Sequence, residues 1–93
     1  MIKRVVILGS GESGTGAAIL CRKQGIDVFV SDSGRIAERY KNELNKNNIA
    51  FEEEKHSEEK ILNADEVVKS PGIPENNKLV QQIRAKGIKV ISE

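Results

Sequence analysis

The sequence predicts an α/β domain in which a mainly parallel sheet of about five strands is flanked by helices. Three observations lead to this prediction. Short apolar runs alternate with helical patterns along the 93 residues, glycines close two helix-to-strand junctions, and the first apolar run leads directly into a glycine-rich loop. Uninterrupted apolar runs are typical of parallel strands that are buried on both faces. We expect one domain over residues 1–93, because this length suits a single core.

The individual elements follow from the pattern of apolar residues. The predicted strands lie at residues 5–8, 26–30, 49–51, 66–69 and 88–91. The predicted helices lie at residues 17–24, 35–46, 57–64 and 78–86. Gly25 and Gly87 each end a helix and precede a strand. They lie in two segments of similar sequence, residues 22–28 and 84–90. Strands that alternate with helices imply parallel pairing through right-handed crossovers, so we expect a Rossmann-like domain of three layers.

Composition excludes several classes of function. The formal net charge is +1, so no strong field favours nucleic acid or a membrane surface as a partner. Three aromatic residues provide no evident platform for base stacking. No apolar stretch approaches the roughly 20 residues that span a bilayer, and no secretory signal is recognisable. The single cysteine, Cys21, fits a reducing compartment. We expect a cytoplasmic monomer.

Two polar features of the middle of the chain are interpreted as surface. Residues 52–55 are a run of charged residues, which we predict to be a solvated edge. His56 follows in a polar loop without a recognisable catalytic partner, so we predict a surface or capping role for it. The sequence therefore predicts no catalytic residue and no metal site.

The glycine-rich loop is the first candidate site. Gly9, Gly11 and Gly14 match the dinucleotide fingerprint G-x-G-x-x-G between a predicted strand and a helix. The first glycine permits a tight turn, the second lets a ligand approach the backbone, and the third lets the helix pack close to the strand. Free amides at the start of the helix favour an anion such as pyrophosphate. We expect the hydroxyls of Ser13 and Thr15 to add donors.

Two acids accompany this loop. Asp32 lies at the end of the second strand, 18 residues after Gly14. An acid at this place in a dinucleotide site accepts hydrogen bonds from ribose hydroxyls. Glu12 lies inside the loop, and its carboxylate would repel a phosphate unless it points to solvent. The alternative is a glycine turn needed only for packing, with Asp32 as a helix cap.

The segment 70–74, Ser-Pro-Gly-Ile-Pro, is the second candidate site. It follows a strand that should neighbour the first one, and ligands of doubly wound sheets bind outside the carboxyl ends of such strands. Pro71 keeps Ser70 extended, and Gly72 leaves room for a flat ligand. From physical reasoning alone, a plain strand-to-helix loop is an equal alternative.

At these residues the sequence resembles a known family. The segment 70–74 is similar to the SPG(I/V)P signature of the Mur ligases, which build the bacterial peptidoglycan precursor. The loop 9–14 resembles their first-domain G-x-G-x-[ST]-G, and the pair Asp32-Ser33 is similar to the Asp-Thr/Ser of the member that adds D-glutamate. The resemblance runs over essentially the whole chain and covers only the N-terminal domain of that enzyme.

The resemblance implies a ligand and its binding residues. In that family the domain holds the UDP of UDP-N-acetylmuramoyl-L-alanine, with the glycine loop at the diphosphate and the acid pair and Gly72 at the uracil. A basic residue often follows the acid pair directly. Here Gly34 intervenes, so whether Arg35 takes that role stays open. The candidate substrate-binding residues are Gly9, Gly11, Glu12, Ser13, Gly14, Asp32, Ser33, Arg35, Ser70, Pro71 and Gly72.

The resemblance also implies what lies elsewhere. The sequence contains no G-x-x-x-x-G-K-[ST] phosphate loop, so we expect ATP, Mg²⁺ and D-glutamate to bind to later domains of a parent ligase. We expect this chain to be an excised N-terminal domain that is inactive by itself. Two alternatives remain: an NAD(P)-binding domain of a dehydrogenase or ligand-sensing subunit, and the same domain of another Mur ligase. The segment 70–74 favours a Mur ligase, because the NAD fingerprint does not require it.

Overall fold

The computed structural model describes residues 2–92, which form one five-stranded parallel sheet covered by helices on both faces. The strands are β1 (Arg4–Leu8), β2 (Asp27–Ser31), β3 (Ala50–Glu52), β4 (Glu66–Lys69) and β5 (Lys89–Ser92). The helices are α1 (Glu12–Lys23), α2 (Glu38–Lys46), α3 (Glu58–Ile61) and α4 (Lys78–Ala85). None of the helices within residues 2–92 is long and apolar enough to cross a membrane.

The order of the strands creates a switch point beside β1. The sheet order is β3-β2-β1-β4-β5. The chain therefore moves outward from β1 to β3, then returns to the other side of β1 and continues to β5. In sheets of this kind, the loops after the two central strands diverge and leave a crevice at their carboxyl ends. Here those loops are the glycine loop after β1 and the segment 70–74 after β4.

Alternation along the strands divides the core into two layers. One face of the sheet packs with α1 and α2 through the buried side chains of Val5, Ile7, Ala18, Val28, Val30, Leu44 and Ile49. The other face packs with α3 and α4 through Val6, Leu8, Phe29, Ile61, Ala64, Val67 and Ile83. Successive residues of a strand point to opposite faces, so the apolar run of β1 supplies both layers. The predicted three-layer α/β fold is confirmed.

Glycines end two helices as predicted, but two helix starts differ from the prediction. Gly25 and Gly87 follow α1 and α4 with φ angles of +79° and +80°, a conformation that glycine adopts without steric cost. Helix α1 begins within the glycine loop rather than near residue 17. Helix α2 begins three residues late, because the amide of the buried Ile36 donates to Glu53 Oε1 at 2.9 Å instead of entering a helix.

Candidate functional site at the switch point

The glycine loop has the backbone geometry that its sequence predicts. Gly9 adopts a φ of +95°, which L side chains rarely adopt. A Cβ on Gly14 would overlap the Gly9 carbonyl oxygen, so only glycine lets α1 approach the turn this closely. In the described part of the chain, a Cβ on Gly11 would meet nothing within 4 Å apart from its two sequence neighbours. The space above Gly11 is therefore open, and a ligand can reach the backbone there.

The first turn of α1 has unused hydrogen-bond donors. The first main-chain hydrogen bond of the helix joins the Thr15 amide to the Gly11 carbonyl at 3.0 Å. In the part of the chain that the structure describes, no side chain caps this end of α1. The amides of Glu12, Ser13 and Gly14 consequently precede the helical ladder and point outward with the positive end of the helix dipole. Such a helix start attracts an anion.

The hydroxyl of Thr15 does not serve this surface, and that part of the prediction is wrong. Thr15 is buried, and its Oγ1 lies 2.9 Å from Oγ of the equally buried Ser10. This pair joins the glycine loop to the first turn of α1. Ser13 remains exposed, so its hydroxyl is the one available donor of the two.

A cavity lies between the two loops of the switch point. Its volume is about 240 Å³. It is lined by Gly9, Gly11, Glu12, Ser13, Gly14, Ser70 and Pro71. Seven of the candidate residues are thus brought together around one concave surface, which the N-terminus of α1 faces. A larger concavity of about 500 Å³, lined by Glu58, Glu59, Leu62, Asn63 and Lys86, lies toward the amino ends of the strands and away from these loops.

Asp32 reaches the glycine loop from the neighbouring strand. Its Oδ2 accepts from the Ser10 amide at 2.8 Å, and its Oδ1 accepts from the Gly34 amide at 2.9 Å. It caps no helix, since the N-cap of α2 is Ala37. The carboxylate therefore fixes the shape of both loops and keeps further acceptor capacity for a ligand.

Ser33, Arg35 and Gly72 lie outside the lining of the cavity. Ser33 and Gly72 are exposed. The side chain of Arg35 is 85% exposed, and its Nε lies 3.5 Å from Glu54 Oε1. Among residues 2–92, the guanidinium is held by one solvent-exposed ion pair, which contributes little and can be exchanged readily.

A buried lysine holds the second loop and was missed by the sequence analysis. Lys69 ends β4 and is 4% exposed. Its Nζ donates to the Ile73 carbonyl at 2.8 Å and lies 3.3 Å from Glu75 Oε2. Glu75 also pairs with Arg84 on α4 at 2.9 Å. These contacts connect the loop after β4 with the helix that follows it.

A second polar cluster lies beyond Asp32, and it corrects two predictions. Glu52 is not a solvated edge residue: it is 7% exposed and accepts from the Ser31 hydroxyl at 2.7 Å and from the Ser57 amide at 2.7 Å. His56 is half-buried, with Nδ1 2.6 Å from Ser31 Oγ. Ser31 and Glu52 pair across β2 and β3 as the last residue of each strand. Their adjacency could have been inferred from the parallel sheet, because carboxyl ends of parallel strands meet at one edge.

The charged groups of this cluster have shifted pKa values. Burial raises the pKa of Glu52, but hydrogen bonds from Ser57 and Ser31 outweigh it, and the net pKa lies below the ordinary 4.5. Burial lowers the pKa of His56 below 6.5, although the negative charges of Glu52 and Asp32 act to raise it. Glu52 is therefore ionised and His56 neutral at pH 7. Within residues 2–92 no group of three His, Cys, Asp or Glu side chains could hold a metal ion.

The doubly wound sheet and its glycine loop define this protein as a Rossmann-like α/β domain. A family model described as the N-terminal domain of MurD-like Mur ligases matches residues 3–92. The chain belongs to this family.

Individual relatives agree with that assignment. UDP-N-acetylmuramoylalanine–D-glutamate ligases of Cytophaga hutchinsonii and Bacteroides thetaiotaomicron are 57% and 54% identical over 100% and 99% of this chain. The chain spans 21% of the length of each. Among solved structures, a pseudomurein peptide ligase type C from Methanothermus fervidus superposes with a TM-score of 0.82 at 25% identity, covering 97% of this chain and 19% of the other.

Proposed function

We propose that this chain is the UDP-binding domain of a ligase that adds D-glutamate to UDP-N-acetylmuramoyl-L-alanine in peptidoglycan precursor synthesis. Membership of the MurD-like family and the names of the relatives support this proposal. Residues 1–93 would form one domain of a monomeric enzyme in the bacterial cytoplasm. The ATP-binding and C-terminal domains would lie in the remainder of the parent protein.

The observation that carries the proposal is the cavity at the switch point. The N-terminus of α1 opens into it with the outward amides of Glu12, Ser13 and Gly14, and the space over Gly11 is clear. A diphosphate suits this position, because the amides and the helix dipole stabilise negative charge without a compensating cation. The carboxylate of Glu12 would turn toward solvent when the diphosphate binds.

The uracil would lie against the loops that flank the cavity. Asp32 can accept another hydrogen bond from the ligand, because each carboxylate oxygen has a second acceptor direction. Ser33 and the flat surface at Gly72 would complete the base site, with Ser70 and Pro71 between base and diphosphate. Arg35 would exchange its pairing with Glu54 for the diphosphate.

The domain would anchor the substrate, and bond formation would occur elsewhere in the enzyme. In such a ligase ATP phosphorylates the substrate carboxylate, and the amino group of D-glutamate attacks the resulting acyl phosphate. The sequence has no P-loop motif for ATP. ATP and Mg²⁺ are therefore assigned to the other domains, and we expect the chain alone to have no ligase activity.

An NMR titration of the 93-residue chain tests the proposal. UDP and UDP-N-acetylmuramoyl-L-alanine should each shift the amides of Gly11, Ser13, Asp32 and Gly72 in a saturable manner, whereas NAD should not. Saturable NAD binding without a response to UDP would instead favour the dehydrogenase-type domain. For the choice among Mur ligases, ADP release by the full-length enzyme should require D-glutamate. Release that requires another amino acid would identify a sister ligase.

A further inference from the structure

Three partners surround one hydroxyl group at the carboxyl end of β2. Ser31 Oγ lies 2.7 Å from Glu52 Oε2, 3.2 Å from the Lys55 carbonyl oxygen and 2.6 Å from His56 Nδ1. Ser31 itself is fully buried, with no solvent exposure. Water is therefore not available to complete its hydrogen bonding, and the three contacts must account for its single proton and its lone pairs.

The identity of the partners determines where the protons are. An ionised carboxylate and a carbonyl oxygen can only accept, so the Ser31 proton points toward Glu52 or the Lys55 carbonyl. The remaining contact, from His56 Nδ1, must then supply a proton to a lone pair of Ser31 Oγ. In the neutral imidazole this places the only ring proton on Nδ1 and leaves Nε2 as an acceptor.

The same segment supports the loop that follows β2. The Asp32 amide donates to the Glu52 carbonyl at 3.1 Å, and the Lys55 amide donates to the Asp32 carbonyl at 3.3 Å. The Glu54 amide donates to the Gly34 carbonyl at 2.8 Å. Residues 32–34 are thus bonded along their backbone to residues 52–55, and the buried contacts of Ser31 hold that second segment in place.

We propose that His56 is a positioning residue, which donates from Nδ1 to Ser31 and thereby fixes the loop 32–34 for the nucleotide. The inference deepens the proposed function and rests on it for the identity of the ligand. His56 is not among the residues that line the cavity. Its effect on binding passes through Ser31 to the backbone of Asp32.

Three substitutions separate this role from simple packing. His56→Asn keeps an N–H donor close to the position of Nδ1, His56→Gln places its amide near the position of Nε2, and His56→Phe keeps the ring without a donor. We expect UDP affinity of His56→Asn to stay close to that of the unaltered chain. We expect a loss of about tenfold for His56→Gln and His56→Phe, the scale of one buried hydrogen bond. The amide resonances of Asp32 and Gly34 should move in these two variants and stay in place in His56→Asn.

The tautomer is measured independently of any ligand, by ¹⁵N NMR of the imidazole in the unaltered chain. Nδ1 should have the shift of a protonated nitrogen and Nε2 that of an unprotonated one. A proton on Nε2 would overturn the inference, as would equal UDP affinity in all three variants. If the tautomer and the loop shifts are as expected while the unaltered chain binds no UDP, positioning by His56 stands and the proposed function fails.

Discussion

Asp32 Oδ2 accepts a 2.8 Å hydrogen bond from the Ser10 amide, and this contact joins the end of β2 to the glycine loop after β1. Ser10 is 3% exposed, so its amide has little access to water as an alternative partner. The acid that the fingerprint assigns to the ligand therefore also maintains the glycine loop. Stability and binding are coupled at this residue, and substitutions of Asp32 should change both.

Asp32→Ala should lower the free energy of unfolding and weaken UDP binding together. The Ser10 amide would lose its acceptor, which costs about 1–3 kcal/mol for a buried donor. Thermal unfolding measures the first effect, with a decrease in Tm of about 4–8 °C per kcal/mol for a domain of this size. Asp27→Ala is a matched control, because Asp27 pairs with Arg4 at the opposite end of the sheet. A drop in UDP affinity for Asp27→Ala equal to that for Asp32→Ala would contradict a local role.

Two glycines of α1 should respond oppositely to alanine. In Gly14→Ala the new Cβ would overlap the Gly9 carbonyl, so the helix must move away from the turn, at a cost of about 1–3 kcal/mol. Gly16 is an exposed helical residue whose added Cβ would meet nothing within 4 Å. Gly16→Ala should stabilise the domain by about 0.5–1 kcal/mol. Urea denaturation compares the two, and an equal stability of both variants would refute the close packing at Gly14.

Gly11→Ala should separate ligand binding from folding. Its Cβ has free space in the structure, so the variant should unfold close to the unaltered chain. The same Cβ would enter the space proposed for the diphosphate, and we expect UDP affinity to fall by about tenfold or more. Thermal unfolding should first show that Gly11→Ala has the Tm of the unaltered chain. Isothermal titration calorimetry with UDP then measures its affinity. Unchanged affinity would place the diphosphate elsewhere.

Glu12→Gln should have the opposite effect on affinity. Glu12 lines the cavity at the N-terminus of α1, and its negative charge would oppose that of a diphosphate. Its neutralisation should tighten UDP binding by about two- to fivefold, the scale of a charge near a helix terminus. The gain should decrease at high salt, because the carboxylate is exposed. Weaker binding in Glu12→Gln would mean that the side chain contacts the ligand as an acceptor.

Stability should fall at acidic pH in two stages. The folded-state pKa of His56 lies below its ordinary 6.5, because burial disfavours the charged ring against the opposing effects of Glu52 and Asp32. The unfolded chain therefore takes up a proton near pH 6.5 that the folded chain does not, and stability decreases as the pH falls through this value. His56→Asn should abolish this first stage in urea denaturation measured at closely spaced pH values. If the free energy of unfolding of His56→Asn had the same dependence on pH near 6.5, the first stage would belong to another group.

The second stage belongs to several carboxylates. The pKa of Glu52 lies below 4.5 in the folded state, so its contribution is present above pH 4.5 and is lost as the pH falls further. A hydrogen bond from Lys41 lowers the pKa of Glu53, amides of Lys3 and Arg4 lower that of Asp65, and a hydrogen bond from Arg84 lowers that of Glu75. These pKa shifts have the same sign, so no single substitution should abolish this stage.

The sheet and the glycine loop could be predicted from local patterns, whereas the supporting polar groups could be predicted only once the pairing of the strands is known. Apolar runs, helix-ending glycines and the fingerprint depend on residues that are close in sequence, and all of these features are present. One partner of Glu52, Ser31, is 21 residues away. A run of charged residues is usually solvated, and only the pairing of β2 with β3 places one of its members inside. The start of α2 also differs from the prediction: Ala37 is a non-helical N-cap, and the preceding Ile36 bonds to Glu53, 17 residues away.

Lys69→Met should loosen the loop after β4 with little effect on global stability. The change removes the buried charge and its desolvation cost, and it leaves no uncompensated buried charge because Glu75 is exposed and still paired with Arg84. The free energy of unfolding should therefore stay within about 1 kcal/mol. The Ile73 carbonyl, however, loses its donor, so the segment 70–74 loses the side-chain hydrogen bond that holds it against the end of β4. Amide exchange at Gly72 and Ile73 should accelerate, and UDP affinity should fall by about threefold to tenfold. Lys89→Met is the matched control, because Lys89 is exposed at the amino end of β5 and the charge change is the same. Exchange rates and affinity that match those of Lys89→Met would mean that the loop holds its shape without the buried lysine.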